Sequence, residues 1–236
     1  MLKDLKIFVV HESRLIYRRR FVETQLDKIG IDYEFVTKFD SKYLIKDILD
    51  TYYDNDPNNY EYKTKVLWGS NNSSYKELSR NEISCTLKHR ECIKLASERE
   101  GDSLIIEDDC LFCEDFLVKL NSIRNDLPEN WGALFLGLGC GLDFQKRMIQ
   151  NYSQKYNDKI YLIKHPATNC AECYLVNQNS AKMILKDFEK FNLISDWELA
   201  YIFYRNNMDI YWSIPSLAEQ GSKNGMHTST LDYGQR

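Results

Sequence analysis

The sequence predicts an α/β domain, and three observations carry that expectation. Short apolar runs bounded by polar residues recur along the chain, among them "LKIFVV", "SLIIE", "GALFLG" and "DIYWSI". Stretches with apolar residues at helical spacing fall between them. With 236 residues, 43% of them hydrophobic, the chain is long enough to bury one large core. We therefore expect a single domain over 1–236, with strand and helix alternating as in a Rossmann-like fold.

The elements follow in order. "LKIFVV" reads as a strand ending at His11. Residues 14–29 form a helix pattern with Leu15, Phe21, Val22 and Leu26 among its apolar positions, and Gly30 supplies the stop. "DYEFVTKF" returns as a second strand. From about 41 to 76 periodicity is lost, and Asn, Asp, Ser and Tyr dominate, the signature of a polar, aromatic-rich insertion of loops with room for short helical pieces. Its Tyr52, Tyr53, Tyr60, Tyr62, Trp68 and Tyr75 either pin it to the core or offer stacking faces. Ser79 followed by Glu82 is a capping box, so a helix starts there. Cys85, His89, Cys92 and Ala96 share one stripe of that helix, which marks a core face. The strand "SLIIEDD" follows, then a helix over 114–125, the strands "GALFLG" and "KIYLIKH", and "AECYLV" leading into a helix. Ser195 and Glu198 suggest a second capping box before a helix near 196–206, and "DIYWSI" precedes a polar tail.

Composition excludes several classes of function. Net charge is −4 and the one basic tract is Arg18-Arg19-Arg20, which argues against nucleic-acid binding. No run approaches the roughly 18 apolar residues of a membrane span, and the apolar core of the N-terminus is too short for a secretory signal. Seven scattered cysteines, an odd number, fit a reduced protein with no obligatory disulfide. The expected location is cytoplasmic, or peripheral to a membrane surface. Cys110-x-x-Cys113 and Cys170-x-x-Cys173 lie too far apart for a compact zinc ribbon, so idle or buried thiols are expected there. No feature specifies an oligomeric state.

Glu107-Asp108-Asp109 closes an apolar strand with three adjacent carboxylates. Like charges this close repel unless a positive partner lies between them. Ligands of open α/β sheets sit beyond the carboxyl ends of strands. Oxygen ligands there suit Mg²⁺ or Mn²⁺, which in turn hold phosphates. If the strand continues, Glu107 and Asp109 face one side together. Solvated capping acids are the competing reading. His11, at the first strand's end, is placed to touch a nucleotide. Among Arg14, Arg18, Arg19 and Arg20, one is expected on the phosphate, with Arg14 the first choice.

"LSRNEISCTLKH" followed by "SLIIEDDCLF" resembles glycosyltransferase family 25, whose members include lipooligosaccharide and collagen galactosyltransferases. The pattern is approximately Leu-Ser-x-Gly-Glu-Ile-Gly-Cys-x-x-Ser-His, then a strand ending Glu-Asp-Asp. Leu78, Ser79, Glu82, Ile83, Cys85, His89 and the acidic triplet match, while Asn81, Ser84 and Lys88 depart from it. "AECYLVNQNSAKMIL", "SDWELAYIF" and "PSLAEQGS" look like later blocks of the family. The resemblance implies a GT-A-like fold and inverting transfer of a hexose, galactose or glucose, from a UDP-sugar to a saccharide or glycoconjugate acceptor. It implies Mn²⁺ or Mg²⁺ as cofactor, held by Glu107 and Asp109 and completed by a late histidine, His227. His11, Arg14, Glu82 and Asp108 become donor contacts, although Glu82 is also the capping residue. Asp196 becomes the base that activates the acceptor, and its place in a helix's first turn gives it a structural reading too. Two rivals stand beside this reading: a metal-dependent nucleotidyl or phosphoryl transferase, and a degenerate, non-catalytic saccharide-binding protein.

Overall fold

The computed structural model describes residues 4–69, 74–137, 153–164 and 170–229. Its elements are β1 (Lys6–Val10), α1 (Ile16–Ile29), β2 (Tyr33–Val36), α2 (Lys46–Tyr52), α3 (Pro57–Trp68), α4 (Arg80–Ser97), β3 (Asp102–Glu107), β4 (Cys110–Phe112), α5 (Phe116–Asn125), β5 (Ala133–Phe135), β6 (Ser153–Lys155), β7 (Ile160–Ile163), β8 (Cys173–Asn177), α6 (Gln178–Asp187), α7 (Ser195–Arg205), β9 (Ile210–Ser213) and β10 (Ala218–Gln220). Eight strands form one mixed sheet in the order β2-β1-β3-β8-β5-β9-β7-β6. β1 pairs in parallel with both β2 and β3, whereas β8 runs antiparallel between β3 and β5.

Side chains alternate across this sheet, and both faces are covered. Ile7, Val9, Leu104 and Ile106 pack on one side with Val22 and Leu26 of α1 and Leu120 of α5. Phe8, Val10 and Ile105 pack on the other with Ile83, Leu87 and Ile93 of α4. A strand buried on both faces has no polar positions to spare, which is why the strand sequences read as continuous apolar runs. α1 ends as expected, with Gly30 in the left-handed conformation. Ser79 and Glu82 complete the expected capping box of α4.

The structure corrects one expectation and gives definite form to two stretches. The 41–76 stretch is largely helical, containing a 3-10 turn at Ser41–Tyr43 besides α2 and α3. The buried positions of α3, Tyr60, Lys63, Thr64 and Leu67, do fall at helical spacing, but two of the four are polar, so no apolar period shows in the sequence. Second, the Ser195–Glu198 capping box does not form, because the helix begins at Ser195 and Ile194 is its N-cap. Glu198 instead accepts a hydrogen bond of 2.6 Å from Lys63 Nζ and further ones from the Asn192 and Leu193 amides. Third, part of the polar tail is paired: β10 runs antiparallel to β4, with Gln220 opposite Cys110.

The Lys63–Glu198 pair ties α3 to α7, with side-chain exposures of 6% and 1%. Burial pushes the Glu198 carboxyl up, and Lys63 works against that push. Removing the lysine therefore strands a buried charge. Lys63→Met is expected to cost about 3–5 kcal/mol in chemical denaturation. Adding Glu198→Gln, which keeps the amide hydrogen bonds but not the charge, should regain most of it. A loss below about 1 kcal/mol for Lys63→Met, the range of exposed pairs, would show that the pair does not anchor the insertion.

Candidate active site

Register alone builds the first half of the site. Val10 lies opposite Glu107 in the parallel β1–β3 pair, so the residues that follow them, His11 and Asp108, emerge side by side. His11 Nδ1 lies 2.8 Å from Asp108 Oδ2. Since β3 ends at Glu107, Asp108 and Asp109 belong to the turn, and strand alternation does not govern them. All three carboxylates nevertheless line one cleft of about 570 Å³ that opens to solvent, together with His11, Arg14 and Arg18.

The positive partner that the triplet calls for comes from α1. Arg18 donates to Asp108 Oδ1 at 2.8 Å and lies 3.7 Å from Asp109 Oδ2. Arg14 stays more exposed and reaches Glu12 at 3.7 Å, still on the cleft's lining. Residues 18, 22 and 26 share one face of α1, and the burial of Val22 and Leu26 carries Arg18 toward the triplet. Glu107 is held from both sides, by His89 Nε2 at 3.3 Å and Gln220 Nε2 at 2.9 Å. The other nitrogen of His89 meets the Tyr174 hydroxyl at 3.1 Å. Lys88, where the family pattern has serine, closes the far wall with bonds to Glu12 and Asp40. Burial works to raise the Asp40 carboxyl, but Lys88 and Ser13 outweigh it and hold it low.

The tail crosses over the triplet. Gly221 N donates to the Asp109 carbonyl at 2.8 Å and Ser222 N to Asp109 Oδ2 at 3.1 Å. A Cβ on Gly221 would lie 2.9 Å from that carbonyl and 2.8 Å from the His227 ring, so glycine is what lets both approach. His227 packs edge-on to Phe21. Burial, and next Arg18, lower its pKa, with Asp108 opposing them. Burial and the nearby Glu107 push Asp109 the other way, to about 6.

A second cleft, of about 420 Å³, adjoins the first and is lined by Glu82, Ser195, Asp196 and Lys223 among others. Glu82 thus lines a different cleft from His11 and is engaged in its capping box, with Lys76 3.6 Å away. Asp196 stands at the start of α7, where Trp197 N donates to its Oδ1 at 3.0 Å. Burial, followed by Glu107, raises its pKa to about 6, partly offset by the Trp197 amide and His89.

Two buried atoms near Gly221 are candidates to hold a divalent cation. Asp109 Oδ1 and His227 Nε2 are buried and have no hydrogen-bond partner among the described residues. A carboxylate oxygen and a neutral imidazole suit Mn²⁺, and Mg²⁺ less well. Glu107, expected as a ligand, accepts one hydrogen bond on each oxygen, from His89 and from Gln220, and keeps lone pairs on both. Cys85, His89 and Glu107 also cluster within 4.8 Å. Burial keeps the Cys85 thiol well above its usual pKa, and both His89 nitrogens are engaged, so that trio makes a poor site. The expectation of idle thiols is corrected at Cys170, which is disulfide-bonded to a partner outside the described residues. Cys85, Cys92, Cys110, Cys113 and Cys173 are free.

The family model described as "Glycosyltransferase family 25 (LPS biosynthesis protein)" matches residues 4–199. The chain belongs to glycosyltransferase family 25. The match takes in α4, the acidic triplet and the start of α7, and the GT-A-like α/β fold expected of this family 25 protein is the one observed. No curated protein matches the chain. Among solved structures it is similar to apo mouse xyloside xylosyltransferase 1, at 8% identity and a TM-score of 0.37. The similarity covers 87% of this chain and 70% of that one, and at such distance it says nothing about substrate. Among the described residues, no helix is long and apolar enough to cross a membrane.

Asp109 and Arg18 are expected to make separable contributions to binding a nucleoside diphosphate. Asp109→Asn should remove the gain in UDP affinity that Mn²⁺ provides, at least about tenfold by calorimetry. Arg18→Gln should weaken UDP binding with or without metal, because it removes a cation that Mn²⁺ does not replace. Unchanged Mn²⁺-dependent affinity in folded Asp109→Asn would sink the placement of the metal.

Proposed function

We propose that this family 25 glycosyltransferase is an inverting enzyme that moves a hexose, galactose or glucose, from UDP to a hydroxyl of a saccharide or glycoconjugate acceptor. The family's description suggests lipopolysaccharide as the setting of that acceptor. One observation carries the reading: two clefts meet at Glu107, one lined by Arg18, Asp108 and Asp109, the other by Asp196. The first has the groups for a nucleoside diphosphate and the second has a base for a hydroxyl. His11, Asp108 and Arg18 form the donor end in this reading.

Each residue then has a defined task. The Asp196 carboxylate takes the proton of the acceptor hydroxyl while that oxygen bonds to the anomeric carbon. The bond from this carbon to the UDP oxygen breaks, and its electron pair leaves with the diphosphate. Arg18 offers that phosphate a guanidinium. At Asp109 and His227, Mn²⁺ or Mg²⁺ would supply charge neutralisation to the diphosphate. A base with a pKa near 6 is ionised at neutral pH yet more basic than an ordinary aspartate. Glu198, the other acid of that block, is held by Lys63 and lines neither cleft. Membership in the family favours this reading over phosphoryl transfer.

Two measurements test the role of Asp196. Asp196→Asn should lower kcat by about 10²–10⁴-fold while leaving UDP affinity nearly intact. A variant that melts earlier but transfers sugar at a near-normal rate would reduce Asp196 to a structural residue. Because a base works only when ionised, wild-type kcat should fall about tenfold per pH unit below about pH 6. A kcat flat from pH 7 to pH 5 would contradict the assignment.

A further inference from the structure

The two clefts share a narrow wall. Among the described residues, Cys85, Glu107 and Gln220 line both. On the glycosyl-transfer reading proposed above, on which this inference rests, the hexose spans from diphosphate in one cleft to acceptor hydroxyl in the other. It therefore lies against this wall.

The wall offers mostly hydrogen-bond acceptors. Glu107 Oε1 accepts from His89 and Oε2 from Gln220, yet an ionised carboxylate has about four lone-pair sites, so both oxygens retain capacity. Gln220 commits its Nε2 to Glu107, and its Oε1 has no hydrogen-bond partner. Cys85 remains a thiol and leans on Glu107 with its Sγ 4.0 Å from Oε1. Sugar hydroxyls can donate to such a surface. A sugar carboxylate has no proton to give and brings a second negative charge toward Glu107.

We propose that Cys85, Glu107 and Gln220 form the donor-sugar specificity wall, and that the wall selects a neutral hexose with free hydroxyls over a uronic acid. The three residues come from three separate elements, α4, the end of β3 and β10. Their meeting depends on the β4–β10 pairing, which sets Gln220 opposite Cys110 and beside Glu107.

The test compares UDP, UDP-glucose, UDP-galactose and UDP-glucuronic acid by calorimetry on the whole chain with Mn²⁺. The wild type should bind at least one neutral UDP-hexose more tightly than UDP-glucuronic acid by about a hundredfold, the scale of a like-charge clash. Gln220→Met should weaken the preferred UDP-hexose by about tenfold, the value of a lost hydrogen bond or two, while UDP itself binds as before. Cys85→Ser, on α4 and independent of β10, should change the ratio of glucose to galactose donor affinities. It keeps the test decisive if Gln220→Met does not fold. Equal binding of UDP-glucuronic acid and both hexose donors by the wild type would overturn the wall. So would a Gln220→Met variant that weakens UDP and UDP-hexose by the same factor, or an unchanged donor ratio in Cys85→Ser. Failure of the wild type to bind UDP at all would overturn the glycosyl-transfer reading, and the wall with it.

Discussion

Everything at this site follows from the need to stabilise three neighbouring carboxylates that are mostly withdrawn from water. Asp108 and Asp109 are buried, and Glu107 is half-buried. Isolated, such charges would take up protons or force the turn apart. The protein answers with groups from four directions: His11 from the end of β1, Arg18 from α1, His89 from α4, and Gln220 and Ser222 from the tail. Each of these is also a cleft-forming group or supports one, so neutralising the triplet and shaping the site are a single structural task.

The compensation is uneven, and the unevenness is where chemistry becomes available. Asp108 receives both His11 and Arg18 and is the best served. Asp109 keeps one oxygen without a partner and a raised pKa, while His227, packed against Gly221 as Asp109 is, keeps a ring nitrogen without one. Asp196 is raised by burial and by the field of Glu107 across the wall between the clefts. A fully satisfied cluster would be inert. This one stays under-coordinated at Asp109 and basic at Asp196, at opposite ends of the space a hexose would span.

Family membership and site geometry support each other without being the same evidence. The family match places α4, β3 and α7 in one sequence pattern but ends at residue 199. The part of the chain beyond that limit supplies Gln220, Ser222 and Ser229 to the cleft's lining, and Gly221 and His227 pack beside Asp109. Lys88, where the pattern has serine, is accommodated by two carboxylates, Glu12 and Asp40, so the departure is built into the far wall rather than left as a defect. The insertion is likewise integrated, since Lys63 of α3 holds the Glu198 carboxylate that steadies the start of α7 behind Asp196.

The sequence by itself determined the α/β class, the α4 capping box, the core stripe through His89 and the acidic strand end, because these are written in local period and local hydrogen bonding. The triplet stood out as charge at a recognisable element boundary, whereas Asp196 was singled out through the resemblance to the family. Three decisions belonged to tertiary structure alone. Arg18 rather than Arg14 meets the triplet because α1 packs Val22 and Leu26 inward and carries position 18 with them. The tail reaches the site because β10 pairs with β4 across more than a hundred residues of sequence, as Gln220 with Glu107 illustrates by a separation of 113. Glu198 is structural through Lys63, 135 residues away, and not through the cap its spacing suggested. Local spacing can specify a helix end or a strand face, but which distant charge neutralises which depends on how whole elements pack, and no short window of sequence contains that information.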